Sequence, residues 1–282
     1  MQVLENAVSS DYGGTSRSEA FELVPLSKSD VQSSAVQLLW REVSCTVTKD
    51  RMTSALLQGV SGYANPGEIL AIIGPSGSGK TTLLNILAGR NLSLPNASLS
   101  GSLHANGQPL TSFAYQRHAA YVTQADILLP ELTPRETLMF SLNMRTTLSA
   151  EEKTARVEAM LKMLKLEKVA DNRIGDVLHK GISGGERKRV CIGVELVVKP
   201  SVLLLDEPTS GMDLTARREL WNMLKEEKEG RVMVLTTHFM DEADILGDRI
   251  GIMANGTLLC CGSSLFLKNK FGVGYRLNIS TN

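Results

Sequence analysis

Apolar residues in this chain fall into two textures. Short runs without polar alternation, Ile69-Leu70-Ala71-Ile72-Ile73, Val202-Leu203-Leu204-Leu205 and Val232-Met233-Val234-Leu235, predict strands, the last two buried on both faces. Helical spacing follows the first of these up to a closing Gly89. It returns after Asp213, where Leu220 and Leu224 pair at i, i+4 and Gly230 marks the end. A short strand over Tyr121-Val122-Thr123-Gln124, a short helix from Asp241 to Gly247 and a strand from Arg249 to Met253 complete an alternation of strands and helices.

Two other textures interrupt it. From Val36 to Gly67 the chain reads as short extended pieces, such as Gln37-Leu38-Leu39-Trp40 and Cys45-Thr46-Val47-Thr48, broken by polar turns. Ser100 to Pro109 repeats that style around the hairpin signal Asn106-Gly107, so both predict a β-rich flap. From about residue 126 to 193 the pattern is helical. Thr133-Pro134-Arg135-Glu136 and Ser149-Ala150-Glu151-Glu152 are capping boxes, and Val157, Met160, Leu161 and Leu164 then recur at helical spacing. Met160 and Met163 sit at core spacing.

Residues 1–35 are rich in Ser and Gly with few bulky apolar side chains, which predicts a flexible tail, with a phosphorylatable arm as the alternative. Thirty basic and thirty acidic residues give a net charge of zero, which disfavours a nucleic-acid partner. Cys45, Cys191, Cys260 and Cys261 lack the spacing of a zinc site or disulfide framework and read as reduced thiols. No run approaches the roughly 20 apolar residues that span a bilayer, and the polar N-terminus lacks a signal peptide's apolar core. Asn-x-Ser/Thr triplets at Asn91, Asn96, Asn255 and Asn278 are therefore read as coincidental.

The candidate chemistry lies at the strand ends. Gly74-Pro75-Ser76-Gly77-Ser78-Gly79-Lys80-Thr81-Thr82 fits the Walker A pattern between a strand and a helix. Its glycines let backbone N–H groups approach a phosphate chain, and Lys80 supplies a charge for the β- and γ-phosphates. The Thr81 hydroxyl is a hard ligand for Mg²⁺. At the end of the Val202 run, Asp206 is positioned to hold Mg²⁺ through its water shell, and Glu207 to deprotonate an attacking water. His238 closes a third strand and can share that sheet edge. Ser183-Gly184-Gly185 reads equally as an anion nest opening a helix or as a C-cap and turn on local grounds.

In this order the motifs resemble the ATP-binding cassette (ABC) ATPases, over roughly Leu38 to the C-terminus. The resemblance implies an α/β P-loop NTPase: a RecA-like core sheet, a flanking antiparallel β subdomain and an inserted helical subdomain at about 126–193, within one nucleotide-binding domain over 36–282. It also implies ATP and Mg²⁺ as ligands. Gln124 then matches the Q-loop, sensing Mg²⁺ and coupling to a transmembrane partner. Glu207 matches the general base, His238 the switch histidine and Asp213 the D-loop. Ser183, Gly184, Gly185 and Glu186 match the signature that closes over ATP held by a second nucleotide-binding domain. Family members stack adenine on an aromatic residue where this chain has Ser44-Cys45-Thr46-Val47, so Val47 stands at the adenine position with Trp40 as the competing aromatic.

Leu132 to Glu136 and Gly181 to Arg189 resemble the G subfamily of sterol, pigment and multidrug exporters. Thr237 to Asp244 and Cys260 to Lys268 resemble the A subfamily of lipid transporters. The implied function is the ATPase subunit or fragment of a transporter at the cytoplasmic face of a membrane, its transmembrane domain lying outside this sequence. A soluble clamp on ribosomes or DNA is the alternative, and a catalytically inactive partner is disfavoured by Glu207 and His238.

Overall fold

The computed structural model describes residues 36–49, 52–90, 97–109, 115, 118–176 and 179–272. The expected tail at 1–35 and the triplets at Asn91, Asn96 and Asn278 lie outside them.

A six-stranded sheet forms the centre. Strands β3 (Ile69–Ile73), β6 (Ala119–Val122), β7 (Val202–Asp206), β8 (Val232–Thr237) and β9 (Arg249–Ala254) run parallel, and β10 (Thr257–Gly262) returns antiparallel, in the order β10-β9-β3-β8-β7-β6. The apolar runs have this form because both faces are covered. Alternate residues enter different cores: Leu70, Ile72, Val202, Leu204, Val232 and Val234 on one side, Ile69, Ala71, Leu203, Leu205, Met233 and Leu235 on the other.

The first core is closed by helix α1 (Lys80–Leu87) and by an antiparallel sheet of β1 (Leu38–Lys49), β2 (Met52–Ala64), β4 (Ala97–Ala105) and β5 (Gln108–Pro109), ordered β2-β1-β4-β5. Here the sequence expectation changes. The two short extended pieces are one strand of 12 residues, bent by register shifts between Trp40 and Cys45, with Glu42 at φ 50 absorbing the irregularity. Trp40 is 2% exposed in this core and packs on Gly62, where a Cβ would come within 2.6 Å of the indole. The Asn106-Gly107 hairpin is present, with φ 49 and 77 at the two residues.

The second core is closed by α2 (Pro134–Arg145), α3 (Ala150–Met163), α4 (Gly184–Leu196), α5 (Leu214–Glu226), α6 (Met240–Leu246) and α7 (Ser264–Phe271). Both expected capping boxes form at Thr133 and Ser149, and Asp213 caps α5. Met160 and Met163 pack in this core. Helix α4 runs past Gly193, which is a packing glycine: a Cβ there would lie 2.5 Å from Leu164 Cδ1. Helix α5 ends at Glu226, one turn before Gly230, which occupies the left-handed position of the following turn at φ 74.

Candidate functional site

The loop between β3 and α1 is built from backbone approaches that a side chain would block. A Cβ on Gly74 would stand 2.3 Å from the Met253 carbonyl oxygen, and one on Gly79, at φ 97, would stand 2.8 Å from that of Leu56. Gly77 has φ 78 and open space where its Cβ would be, so its freedom serves the turn. Lys80 is 5% exposed, and its ammonium donates to the carbonyls of Gly74 at 2.8 Å and Pro75 at 3.1 Å. The cation thus ties the loop that carries it. Among the described residues the buried Ser78 hydroxyl has no hydrogen-bond partner.

At the adjacent strand end, Asp206 is 2% exposed and accepts three hydroxyl donors: Thr236 at 2.6 Å, Thr81 at 3.2 Å and Tyr121 at 3.3 Å. Burial, reinforced by the Asp206 charge, pushes the Tyr121 phenol well above its ordinary range, so it remains a donor. Neither Tyr121 nor Thr236 was marked by the sequence pattern. Thr236 faces Asp206 through the register of β7 on β8, which only the assembled sheet supplies.

Glu207 follows β7 with φ 46, a conformation uncommon for a side-chain-bearing residue. Its N–H donates to the Thr236 carbonyl and hydroxyl, both at 3.1 Å. That turn presents the carboxylate to two groups at one oxygen: Gln124 Nε2 donates to Oε2 at 3.0 Å, and His238 Nδ1 lies 3.3 Å from the same atom.

These groups line one cavity of about 560 Å³ with Leu56, Ser76, Gly77, Gly79, Lys80, Thr81, Thr82, Gln124, Glu207 and His238 in its wall. Its size suits a small-molecule ligand. Leu56, on the β1–β2 hairpin, went unrecognised in the sequence. Val47 is half-buried on β1, opposite Ser54 and Ala97, and is not in this wall.

The signature residues and Asp213 stand apart from the cavity. Ser183 caps α4: its hydroxyl accepts from Glu186 N–H at 3.2 Å, and its own N–H donates to the Glu186 carboxylate at 2.7 Å. Ser183 therefore opens a helix, as the nest reading requires, and the C-cap and turn is not what is present; Ser183 and Gly184 are exposed. Asp213 accepts from Thr215 and Ala216 N–H at 3.0 and 3.1 Å, and these bonds hold its carboxyl below the usual range.

A loop that turns at Gly77 and Gly79 with φ 78 and 97, and that places the Lys80 cation in the cavity wall, fits a nucleoside polyphosphate. The oxygens of Thr81, Asp206 and Gln124 fit Mg²⁺, which binds through few protein groups. Among the described residues no cluster of three or more His, Cys, Asp or Glu is placed to hold a metal alone.

Comparison with known proteins agrees with this geometry. The sequence profile of the family described as ABC transporter matches residues 57–210. The chain is 41% identical over 235 residues to ABC transporter G family member 22 of Arabidopsis thaliana, covering 80% of this chain and 31% of that protein. It is 43% identical over 215 residues to the human phospholipid-transporting ATPase ABCA3, covering 76% of this chain and 12% of that protein. The chain therefore spans a third or less of the length of these curated relatives. Among solved structures, one described as the dimeric structure of a post-hydrolysis state of the ATP-binding cassette MJ0796 bound to ADP and Pi superposes with a TM-score of 0.69 at 26% identity. It covers 80% of this chain and 98% of that one. The chain belongs to the ABC transporter family, as a nucleotide-binding domain related to both its G and A branches.

Proposed function

We propose that this chain binds ATP with Mg²⁺ and hydrolyses it to power a membrane transporter. The single observation that carries the reading is the convergence of Gln124 and His238 on one oxygen of Glu207, in the wall of the cavity that contains Lys80. Gly74 to Thr82 hold the phosphate chain, Lys80 its β- and γ-phosphates. Glu207 accepts the proton of the attacking water. His238 contacts the γ-phosphate and Gln124 reports on its surroundings. Mg²⁺, held by Thr81, Asp206 and Gln124, supplies charge neutralisation of the phosphates when bound. The adenine lies toward Leu56, with Val47 outside the wall on β1.

Within a nucleotide-binding domain over 36–282, we assign 126–193 to a helical subdomain. Its Ser183, Gly184, Gly185 and Glu186, with Asp213, meet the nucleotide of a second such domain. Their separation from the cavity in their own chain supports this, as does the dimeric state of the solved relative. A transmembrane partner is supported by Ile127, Leu129, Phe140 and Met144, which are exposed after Gln124 and along α2. Among the described residues no helix is long and apolar enough to cross a membrane, so we place the chain on the cytoplasmic face through that partner. Lipid, sterol or xenobiotic cargo follows from the relatives' branches.

The test is ATP turnover of the purified chain across a dilution series. A site completed by a second chain gives a specific activity that rises with protein concentration at low concentration. A specific activity independent of dilution would contradict a shared site.

A further inference from the structure

Lys188 is a cation sealed inside the protein. Its side chain is 3% exposed, and its ammonium donates to the Asp126 carboxylate at 2.7 Å and to the backbone carbonyls of Gln124 at 2.7 Å and Thr123 at 3.4 Å. All three acceptors belong to the segment that leaves β6. Lys188 itself lies in the second turn of α4, five residues after Ser183. A buried ammonium is tolerated only where its donors are satisfied, and here one short segment satisfies them all. Cys191, nearly one turn further on, meets the same carboxylate, and its thiol is pushed up to about 12 by burial and by the Asp126 charge. Asp126 is thus gripped along one face of α4.

Gln124 has two separate attachments. Its main-chain oxygen is held by Lys188, and its side-chain amide donates to Glu207 Oε2 at 3.0 Å. A displacement of α4 is therefore carried through Lys188 to the backbone of Gln124, and through the amide to Glu207. We infer that Lys188 is a positioning residue that ties the helix bearing Ser183-Gly184-Gly185 to Gln124, so that engagement of those residues by a second chain sets the Gln124–Glu207 contact in this chain's own cavity. The inference rests on the reading above, in which Ser183 to Gly185 close over a partner's nucleotide and Glu207 is the base. It adds the link by which one site informs the other.

The experiment compares full-length wild type with Lys188→Met, Lys188→Arg and Asp126→Asn. It measures ATP hydrolysis against ATP concentration, binding of a fluorescent ATP analogue and thermal unfolding. Lys188→Met is expected to bind the analogue within about twofold of wild type, to lose about tenfold or more in kcat at unchanged KM, and to bring the Hill coefficient for ATP from above one toward one. Lys188→Arg, which retains a donor, recovers most of the loss. Asp126→Asn, which leaves both carbonyl contacts, is intermediate. A Lys188→Met protein that is merely less stable, or whose KM alone rises, overturns the inference. If that variant does not fold, Asp126→Asn decides: a lowered kcat supports the link, and a wild-type kcat and Hill coefficient overturn it. Absence of hydrolysis by wild type overturns both this inference and the parent reading, whereas an active wild type with an indifferent Lys188→Met overturns this inference alone.

Discussion

The side-chain amide of Gln124 donates to Glu207 Oε2 at 3.0 Å, joining the ends of two strands 83 residues apart in sequence. The contact aims a carboxylate whose backbone already holds the unusual φ of 46. Gln124→Ala is expected to leave nucleotide binding nearly intact and to lower kcat about tenfold or more, because misplacement of a reacting group is costly even when the group remains. Steady-state kinetics would show it, and a rise in KM with unchanged kcat would assign Gln124 to binding instead.

Lys80 differs from Gln124 in what its loss removes. Its ammonium is held by two carbonyls of its own loop, so Lys80→Ala deletes a phosphate contact and also releases the loop. Hydrogen bonds to charged groups contribute about 1.5–3 kcal/mol, which predicts ATP binding weaker by roughly tenfold to a hundredfold. Titration with a fluorescent ATP analogue measures this directly, and an affinity equal to wild type would remove Lys80 from the site.

Base selectivity is expected to be poor. Among the described residues no Phe, Tyr or Trp lines the cavity, which offers Leu56 on the hairpin side, and Trp40 is held in the core at 2% exposure. Base–aromatic stacking contributes about 1–3 kcal/mol where it is present. GTP should therefore be hydrolysed within about tenfold of ATP, a margin of roughly 1.4 kcal/mol. Trp40→Leu should leave the ratio of the two kcat/KM values unchanged. A preference for ATP above about a hundredfold that collapses in Trp40→Leu would place the adenine on Trp40.

Stability should decline at both ends of the pH range. The Asp213, Glu219 and Asp244 carboxyls are held low, chiefly by the Ala216 N–H, the Lys165 ammonium and the Lys268 ammonium respectively. Because their folded values lie below their ordinary ones, near 3.8 for Asp and 4.5 for Glu, their contribution is complete above those values and declines as pH falls through the folded ones. Cys191 has the opposite sign: raised from 9.0 to about 12, its contribution is complete below pH 9 and lost as pH rises toward 12. Thermal unfolding across pH should show a plateau between about pH 5 and 8. In Asp213→Asn the acid-side decline should be shallower.

What the sequence made legible was local. The Walker A loop, the capping boxes at Thr133 and Ser149 and the cap at Asp213 all depend on residues within one turn of each other, and each is present as expected. The buried strands were legible because a strand covered on both faces has no polar alternation. Contacts set by strand register or by crossings between elements were not legible: Thr236 and Tyr121 on Asp206, Leu56 in the cavity wall, Lys188 on Gln124. The bent β1 was misread as two pieces because its bulge looks like a turn when the partner strands are unknown. His238 was legible as the residue at a strand tip, but its role and that of Gln124 came from the resemblance, since no local pattern would have assigned them.

The measurement that bears most directly on the account is hydrolysis and assembly in Glu207→Gln. This isosteric variant keeps the Gln124 and His238 neighbourhood in place while removing the carboxylate that would take a proton from water. It should bind ATP with the affinity of wild type, lose about 10²–10⁴-fold in turnover, and accumulate as an ATP-bound dimer in size-exclusion chromatography with ATP and Mg²⁺. Turnover at the wild-type rate in this variant would contradict the assignment of Glu207 as the base, and with it the central claim that the cavity hydrolyses ATP by the arrangement described.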